Sequence, residues 1–104
     1  MNRKVLITGI DSFTGQHLSL YLKNYGYDVY GTSLVNSDKK VYKCDITSQE
    51  SITNVIKNNQ PDYLIHLAGI SFADYSNYDY YYKVNSIGSS NILDAFIQTR
   101  HYPR

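Results

Sequence analysis

The sequence predicts an α/β domain built on a mostly parallel sheet. Short β-branched and apolar runs alternate with stretches whose apolar residues recur at helical spacing, in the order β-α-β-β-α-β-α. Such alternation is typical of parallel strands that are covered by helices on both faces. Because crossovers between parallel strands are right-handed, we expect the strand order 3-2-1-4. With 104 residues, the chain forms at most one domain.

The first half of the chain predicts three strands and one helix. Lys4 to Thr8 is typical of a buried strand, and Phe13 to Tyr25 has the spacing of a helix that Gly26 ends. Asp28 to Thr32 and Val41 to Cys44 predict the second and third strands, with a polar loop between them. The apolar positions of the helix, which we expect to face the sheet, are Phe13, Leu18, Tyr21, Leu22 and Tyr25.

A second helix is predicted to begin at Thr47. Thr47 and Glu50 have the spacing of a capping box, in which the hydroxyl accepts a backbone N–H and the carboxylate reaches back. Pro61 would end this helix, because proline disfavours helical conformation in the residue before it. Its expected buried face consists of Ile52, Val55 and Ile56.

One more strand and one more helix complete the predicted fold. Tyr63 to Ala68 is apolar throughout and predicts the fourth strand. A loop from Gly69 to about Asn77 leads to a long helix from Tyr80 to about Gln98. The residues expected on the inner side of that helix are Val84, Ile87, Ile92, Ala95 and Phe96.

Composition argues against several classes of function. The formal net charge is +1 without basic or acidic runs, so nothing indicates binding to nucleic acid or to an anionic membrane. Cys44 is the only cysteine, which rules out an internal disulfide and argues against a zinc cluster. His17, His66 and His101 lie far apart without carboxylates at metal-site spacing. We therefore expect a cytoplasmic chain without a bound metal ion or a membrane span.

The segment "GIDSFTG" between the first strand and the first helix has the arrangement of a phosphate-binding turn. Such a site needs a strand, a tight turn and a helix whose first backbone N–H groups face the anion. Gly9 would permit the sharp turn, and Gly15 would let the helix lie close to the sheet. Ser12 stands where a glycine is expected, and it would either crowd the phosphate slightly or donate a hydrogen bond to it. The alternative is a structural turn without a ligand.

Four motifs in the chain resemble those of the extended short-chain dehydrogenase/reductase family, and within it the nucleotide-sugar epimerases, dehydratases and 4-keto reductases. "TGIDSFTGQHL" is similar to the family's T-G-x-x-G-F-x-G-x-x-L and departs from it at Ser12. "CDIT", "QPDYLIHLAGIS" and "VNSIGSSNILDA" are similar to three further family motifs in the same order. The resemblance covers residues 4 to about 97. It implies a Rossmann-like parallel sheet, here incomplete, that binds NAD or NADP.

The resemblance also implies which residues contact the cofactor. The glycine-rich turn would hold the phosphates, Asp45 and Ile46 would flank the adenine, and Asn85 would line the pocket. Asp45 could instead be merely a turn residue. The full implied set is Gly9, Ser12, Phe13, Thr14, Gly15, Asp45, Ile46, Leu67, Ala68, Gly69 and Asn85.

The end of the second strand bears on the choice between NAD and NADP. An acidic residue there would bind the ribose 2′-OH and select NAD. Here the strand ends in Thr32, Ser33 and Leu34, and hydroxyls tolerate a 2′-phosphate that Lys39 or Lys40 could approach. This argument favours NADP, whereas the resemblance alone does not settle the choice because relatives use either.

The catalytic pair that the resemblance implies is absent from this sequence. The family uses a tyrosine as acid/base and a lysine four residues later that lowers its pKa. No lysine here has a tyrosine four residues before it; Lys83 follows Asp79 at that spacing, and Tyr78 is one residue out of step. Residues 1–104 therefore read as the NAD(P)-binding N-terminal half of such an enzyme, truncated before its catalytic segment and inactive alone.

The substrate and the partners are expectations of the same kind. By resemblance, the parent activity is hydride transfer at a hexose carbon of a sugar nucleotide, and "YGT" and "HLAGIS" favour the GDP-mannose dehydratase and GDP-4-keto-6-deoxymannose reductase branch. The alternative is a non-catalytic module that senses a dinucleotide or binds a protein. The fourth strand would leave one edge unpaired, which predicts self-association or a partner chain.

Overall fold

The computed structural model describes residues 3–68, 87 and 89–95. Residues 89–95 are helical and belong to the predicted last helix, whereas its beginning and the preceding loop lie outside the described residues. The remaining elements, in chain order, are β1 (Lys4–Thr8), α1 (Phe13–Asn24), β2 (Asp28–Ser33), β3 (Val41–Lys43), α2 (Gln49–Asn59) and β4 (Tyr63–His66).

The four strands form one parallel sheet in the order β3-β2-β1-β4. The predicted fold class and strand order are thereby confirmed, as right-handed crossovers require. The last residue of β1, Thr8, is aligned with Thr32 of β2 on one side and with His66 of β4 on the other. The carboxyl ends of these three strands therefore meet at one edge of the sheet, where α/β folds place their ligands.

Each face of the sheet has its own apolar core. Successive side chains of a strand point to opposite faces, so Leu6 packs against α2 while Val5 and Ile7 pack against α1. The buried face predicted for α2 is confirmed, and residues 89–95 contribute to the same core. Ile87 is 40% exposed and does not line that core as expected. The buried members on the α2 side are Leu6, Cys44, Ile46, Ile52, Val55, Ile56, Ile92 and Ala95.

The inner side predicted for α1 was wrong in its aromatic members. Phe13, Tyr21 and Tyr25 are 79%, 58% and 68% exposed, and the buried residues of this helix are Gly15 and Ser19. Small residues let α1 lie close to the sheet, which leaves no room there for aromatic rings. The rings lie instead along the outer side, where Tyr21 and Tyr25 contact each other with centroids 4.9 Å apart. Only the leucines of the predicted set are half-buried against the sheet, Leu18 and Leu22.

The start predicted for α2 was wrong as well. Ser48 is the N-cap, and its Oγ accepts the backbone N–H of Ser51 at 3.3 Å. Thr47 is engaged elsewhere, because the Asp45 carboxylate accepts both its backbone N–H, at 2.9 Å, and its hydroxyl, at 2.6 Å. The side chain of Asp45 thus closes a local turn, and the helix begins only after the next hydroxyl.

The ends of the other elements follow from local stereochemistry. Gly26, at φ +88°, lies just beyond α1, as expected of a glycine that ends a helix. Gln60, the residue before Pro61, takes a left-handed conformation and ends α2, as predicted. Strand β4 ends at His66, short of the predicted Ala68. The chain leaves the strand there because Thr8, at the end of β1, accepts backbone N–H groups from the two residues that follow.

Candidate functional site

The turn between β1 and α1 requires glycine at two positions. Gly9 has φ +68°, and a Cβ built on it would lie 2.9 Å from Cα of Ala68. A Cβ on Gly15 would lie 2.6 Å from the carbonyl oxygens of both Gly9 and Ile10. Side chains do not approach backbone this closely, so any other residue at Gly15 would push α1 away from the turn. The sharp turn and the close helix expected of these glycines are both present.

Ser12 fits the position where a glycine was expected. It has φ −68° and ψ 162°, an extended conformation that any residue adopts. It is the N-cap of α1, and its Oγ accepts the backbone N–H of Gly15 at 3.0 Å. The hydroxyl is therefore turned into the first turn of the helix, and its proton has no acceptor among the residues that the structure describes.

The amino end of α1 has the features of an anion site. The first turn contains no acidic residue. Within the described part of the chain, the backbone N–H groups of Phe13 and Thr14 have no acceptor. The N-terminal N–H groups of a helix carry its positive partial charge, and phosphates bind there. This end of α1 can hold the pyrophosphate of a dinucleotide.

A hydroxyl beneath the turn ties β1 to the end of β4. Thr8 is fully buried, and its Oγ1 accepts the backbone N–H groups of Leu67 and Ala68, both at 3.0 Å. With two donors bound, its own proton goes to Nδ1 of His66, 2.6 Å away. Burial lowers the pKa of His66, which favours the neutral ring that can accept at Nδ1. Leu67 and Ala68 are held against Gly9 in this way.

Thr32, one of the hydroxyl residues predicted to lie near the cofactor ribose, is bonded to the turn. Its side chain is buried, and its Oγ1 accepts the backbone N–H of Gly9 at 3.3 Å. Its carbonyl oxygen accepts the N–H of Ile10 at 3.0 Å. The end of β2 and the glycine-rich turn are therefore one hydrogen-bonded unit.

Sequence reasoning missed a carboxylate at the end of β2. Ser33 is buried, and its hydroxyl accepts the backbone N–H groups of Val35 and Asn36, at 3.2 and 3.0 Å. It donates its proton to Asp11, whose Oδ2 lies 2.6 Å away, and the Asn36 amide donates to the same oxygen at 3.1 Å. The clue in the sequence was an acidic residue inside the turn that packs beside this strand.

The structure gives the two residues of the adenine motif different surroundings and pairs one of the two lysines with a carboxylate. Asp45 is exposed and serves as a turn residue through one carboxylate oxygen, while Ile46 is buried in the core on the α2 side. Lys40 pairs with Asp28 at 2.7 Å, which raises the pKa of Lys40. Asp28 begins β2, so this ammonium lies at the opposite end of the strand from Ser33.

Several predicted groups lie outside the described residues or in the core. Gly69, Asn85, Lys83 and the tyrosines near Lys83 lie outside the described residues. Cys44 is a buried core residue, as expected, and burial raises the pKa of its thiol. In residues 3–68, 87 and 89–95 no three His, Cys, Asp or Glu side chains come together as metal ligands. None of the helices described there has the length and apolar character to cross a membrane.

Comparison with known proteins gives matches over nearly the whole chain. Residues 5–102 match the model of the NAD dependent epimerase/dehydratase family. A GDP-6-deoxy-D-talose 4-dehydrogenase from Aggregatibacter actinomycetemcomitans is 30% identical over 95 residues, which are 90% of this chain and 30% of that enzyme. A GDP-mannose 4,6-dehydratase from Vibrio cholerae serotype O1 is 29% identical in a match that covers 91% of this chain and 31% of the enzyme. The chain thus spans about a third of the length of these relatives.

Solved structures share the fold. A dTDP-4-dehydrorhamnose reductase from Bacillus anthracis, in complex with NADP, superposes with TM-score 0.77 at 28% identity, over 99% of this chain and 35% of that one. A UDP-glucose 4-epimerase from Brucella ovis, in complex with NAD, superposes with TM-score 0.82 at 24% identity, over 95% and 33%. Proteins with this fold therefore bind NAD in one case and NADP in another.

Proposed function

Because the chain belongs to the NAD-dependent epimerase/dehydratase family, we propose that residues 1–104 are the dinucleotide-binding part of an enzyme that acts on sugar nucleotides. The observation that carries this proposal is the turn from Gly9 to Gly15, where both glycines are sterically required and α1 presents unpaired N–H groups. The close approach that both glycines permit, together with a first turn of α1 that has no acidic residue, favours the ligand-binding alternative.

Each predicted contact residue has a distinct part in the proposed binding mode. The N–H groups of Phe13 and Thr14 would bind the pyrophosphate, and Ser12 would lie beside it as the N-cap that holds the first turn of α1. The backbone at Leu67 and Ala68, fixed by Thr8, would lie along the cofactor. Asp45 would reach the adenine through its second carboxylate oxygen, since the first is engaged by Thr47. The remaining members of the proposed contact set are Gly69 and Asn85, which the resemblance supplies, and Thr32, Ser33 and Ile46, which act through the backbone they fix.

The proposed substrate of the complete enzyme is a sugar linked to a nucleotide. The two curated relatives act, by name, on GDP-6-deoxy-D-talose and GDP-mannose, which supports a GDP-linked hexose. A bound nicotinamide would accept a hydride from a hexose carbon or return one to it. The residues of this chain supply the binding of that cofactor, whereas the acid/base tyrosine and its lysine are absent from the sequence.

We therefore propose that the chain binds the dinucleotide and does not turn over by itself. Nicotinamide absorbance, followed with GDP-mannose and related GDP-sugars, tests this. We expect no hydride transfer; a rate near the ordinary enzyme value of ~1 s⁻¹ would refute the claim.

Binding itself is tested by titration calorimetry of the full chain with NAD⁺ and NADP⁺. We expect saturable binding of at least one of them, lost in Gly15→Val, where the new side chain collides with the carbonyl oxygens of Gly9 and Ile10. Ser51→Val is the matched control, because Ser51 has the same place in the first turn of α2. Failure of the folded wild-type chain to bind either nucleotide would refute the proposed function.

The preference between the two nucleotides depends on the end of β2. The lack of an acidic residue at the carboxyl end of the strand favours NADP, as does a lysine that could approach a 2′-phosphate. Of the two candidate lysines, Lys40 is engaged with Asp28 at the far end of the strand, and Lys39 is left for this role. The carboxylate of Asp11 favours NAD.

A second proposal concerns partners and location. Within the described residues the outer edge of β4 has no neighbouring strand, and α1 exposes Phe13, Tyr21 and Tyr25. Unpaired strand edges and exposed aromatic surface favour association with a second copy or another chain. We also propose that the chain is located in the cytoplasm. These surfaces are also what the alternative, a non-catalytic dinucleotide-sensing or interaction module, would use. Light scattering after size exclusion tests it, and a monodisperse monomer at high concentration would contradict association.

A further inference from the structure

A carboxylate stands beside the carboxyl end of β2, although the residues at that end of the strand, Thr32 and Ser33, have none. We propose that Asp11, which belongs to the glycine-rich turn, selects a dinucleotide with an unphosphorylated adenosine ribose, and so favours NAD over NADP. This inference rests on the proposed function, because it concerns the selectivity of the same site. It differs from the expectation drawn from the strand sequence alone.

The hydrogen bonds of Asp11 fix its carboxylate and leave one oxygen open. Ser33 and Asn36 both donate to Oδ2, at 2.6 and 3.1 Å. The Ser33 proton is committed to this bond, because its oxygen already accepts two backbone N–H groups. Oδ1 has no partner among the residues that the structure describes. It is available to accept a hydrogen bond from a hydroxyl of the ligand.

The position of this carboxylate corresponds to that of the ribose in the proposed binding mode. The pyrophosphate lies at the amino end of α1, and the adenosine ribose reaches the end of the neighbouring strand, where an acidic side chain ordinarily binds its 2′-OH. That neighbouring strand is β2, which Thr32 joins to the turn through the N–H groups of Gly9 and Ile10. Asp11 contacts Ser33, the last residue of β2, and so brings a carboxylate to the place that the strand leaves without one.

The same carboxylate would repel a 2′-phosphate. A phosphate monoester carries between one and two negative charges at neutral pH, and Asp11 cannot rotate away without losing its bonds to Ser33 and Asn36. Of the two lysines that could compensate, Lys40 is bound to Asp28 at the opposite end of β2, which leaves Lys39 alone to do so. Asp11 is exposed, so salt and water weaken the repulsion without removing it.

Titration calorimetry of the full chain with NAD⁺ and with NADP⁺ tests the inference. We expect NAD⁺ to bind at least ~10-fold more tightly, which corresponds to ~1.4 kcal/mol. Asp11→Asn keeps the size of the side chain and an oxygen that can accept from Ser33, but it removes the charge. This variant should lose most of the preference, chiefly by binding NADP⁺ more tightly. Asp62→Asn, which removes the same charge near the start of β1, is the control and should keep the preference.

The possible results separate this inference from the function on which it rests. A wild-type chain that prefers NADP⁺, or an Asp11→Asn variant that binds both nucleotides more tightly by the same factor, would overturn the role of Asp11 and leave dinucleotide binding intact. The second pattern would mean that Asp11 repels the pyrophosphate that both ligands share. If neither nucleotide binds to the folded wild-type chain, the proposed function itself is refuted.

Discussion

The two helices α1 and α2 begin with the same chemistry and serve different purposes. Each has a serine N-cap whose Oγ accepts the N–H of the residue three positions later, Ser12 from Gly15 at 3.0 Å and Ser48 from Ser51 at 3.3 Å. The first turn of α2 contains Glu50, which offsets the positive end of its dipole, whereas the first turn of α1 has no acidic residue. The amino end of α1 is left open to an anion, and that of α2 is neutralised from within.

The buried faces of the two helices differ in the same sense. α2 packs branched apolar side chains into the core through Ile52, Val55 and Ile56. α1 buries only Gly15 and Ser19, which bring its backbone close to the sheet. Close approach brings the amino end of α1 to the carboxyl edge of the strands, where α/β folds place their ligands. Because α2 buries larger apolar side chains, it contributes more to the stability of the fold.

The largest effect is expected from a substitution at Gly15, the third helical position of α1. Gly15→Val should lower the free energy of unfolding by about 1–3 kcal/mol through overpacking and should abolish nucleotide binding, because its Cβ would meet two carbonyl oxygens at 2.6 Å. Ser51→Val, at the matching position of α2, should leave binding unchanged. Chemical denaturation and calorimetry on both variants measure this. Equal effects of the two substitutions on binding would show that the two helix starts are not different in function.

Removal of either N-cap serine should lower the stability of the fold by a similar amount. Only the cap of α1 lies at the proposed nucleotide site, so only its substitution can affect nucleotide binding. Ser12→Ala and Ser48→Ala should each cost about 1 kcal/mol of unfolding free energy. Ser12→Gly should cost only a few tenths of a kcal/mol and leave binding unchanged or improved, since it restores the residue usual in such turns. Denaturation and nucleotide titration of all three variants check this. Weaker binding in Ser12→Gly would mean that the serine hydroxyl donates to the phosphate.

The far end of α2 offers a stabilising substitution. Asn59 is buried, and both polar atoms of its side chain lack a partner in the described part of the chain. The backbone carbonyl oxygen of Asn59 accepts a hydrogen bond from Nζ of Lys4, and this contact does not depend on the side chain at position 59. Asn59→Leu should therefore raise the free energy of unfolding by about 1 kcal/mol with no change in nucleotide affinity. A loss of stability in thermal denaturation would indicate that the amide has a partner.

The support beneath the α1 turn predicts a small pH dependence of stability. Burial lowers the pKa of His66 in the folded chain, so the unfolded chain takes up a proton first as the pH falls. The stability from neutral His66 is complete above the unfolded pKa of about 6.5 and is lost as the pH falls through the folded value. His66→Asn should flatten the dependence of unfolding free energy on pH below neutrality. Equal slopes in the wild type and His66→Asn would refute this.

The sequence predicted α2 better than α1 because the two helices bury different kinds of residue. Branched apolar residues at helical spacing mark a core-facing side, as Ile52 and Ile56 do. In α1 the same rule selected Phe13 and Tyr21, which are exposed, because close packing of Gly15 against the turn reversed the usual preference for large residues inside. Parallel strands and their order were predictable, since alternation and handedness determine them.

The candidate site was predictable in its turn and not in its hydrogen bonds. The spacing of Gly9 and Gly15 indicates a strand, a turn and a helix, and these are present. Competition among hydroxyls cannot be read from a sequence. Asp45 accepts the Thr47 hydroxyl, so Ser48 and not Thr47 is the N-cap of α2. The Ser33 hydroxyl likewise donates to Asp11, a residue distant in sequence.

We propose that the amino end of α1, and not that of α2, is an anion site for a dinucleotide. Amide ¹H–¹⁵N NMR spectra of the labelled chain, recorded during titration with NAD⁺, distinguish the two helix ends residue by residue. We expect saturable shifts at the amides of Phe13, Thr14 and Gly15, with those of Gln49 and Glu50 unchanged. Shifts confined to the start of α2, or a folded chain whose α1 amides do not respond to NAD⁺ or NADP⁺, would contradict it.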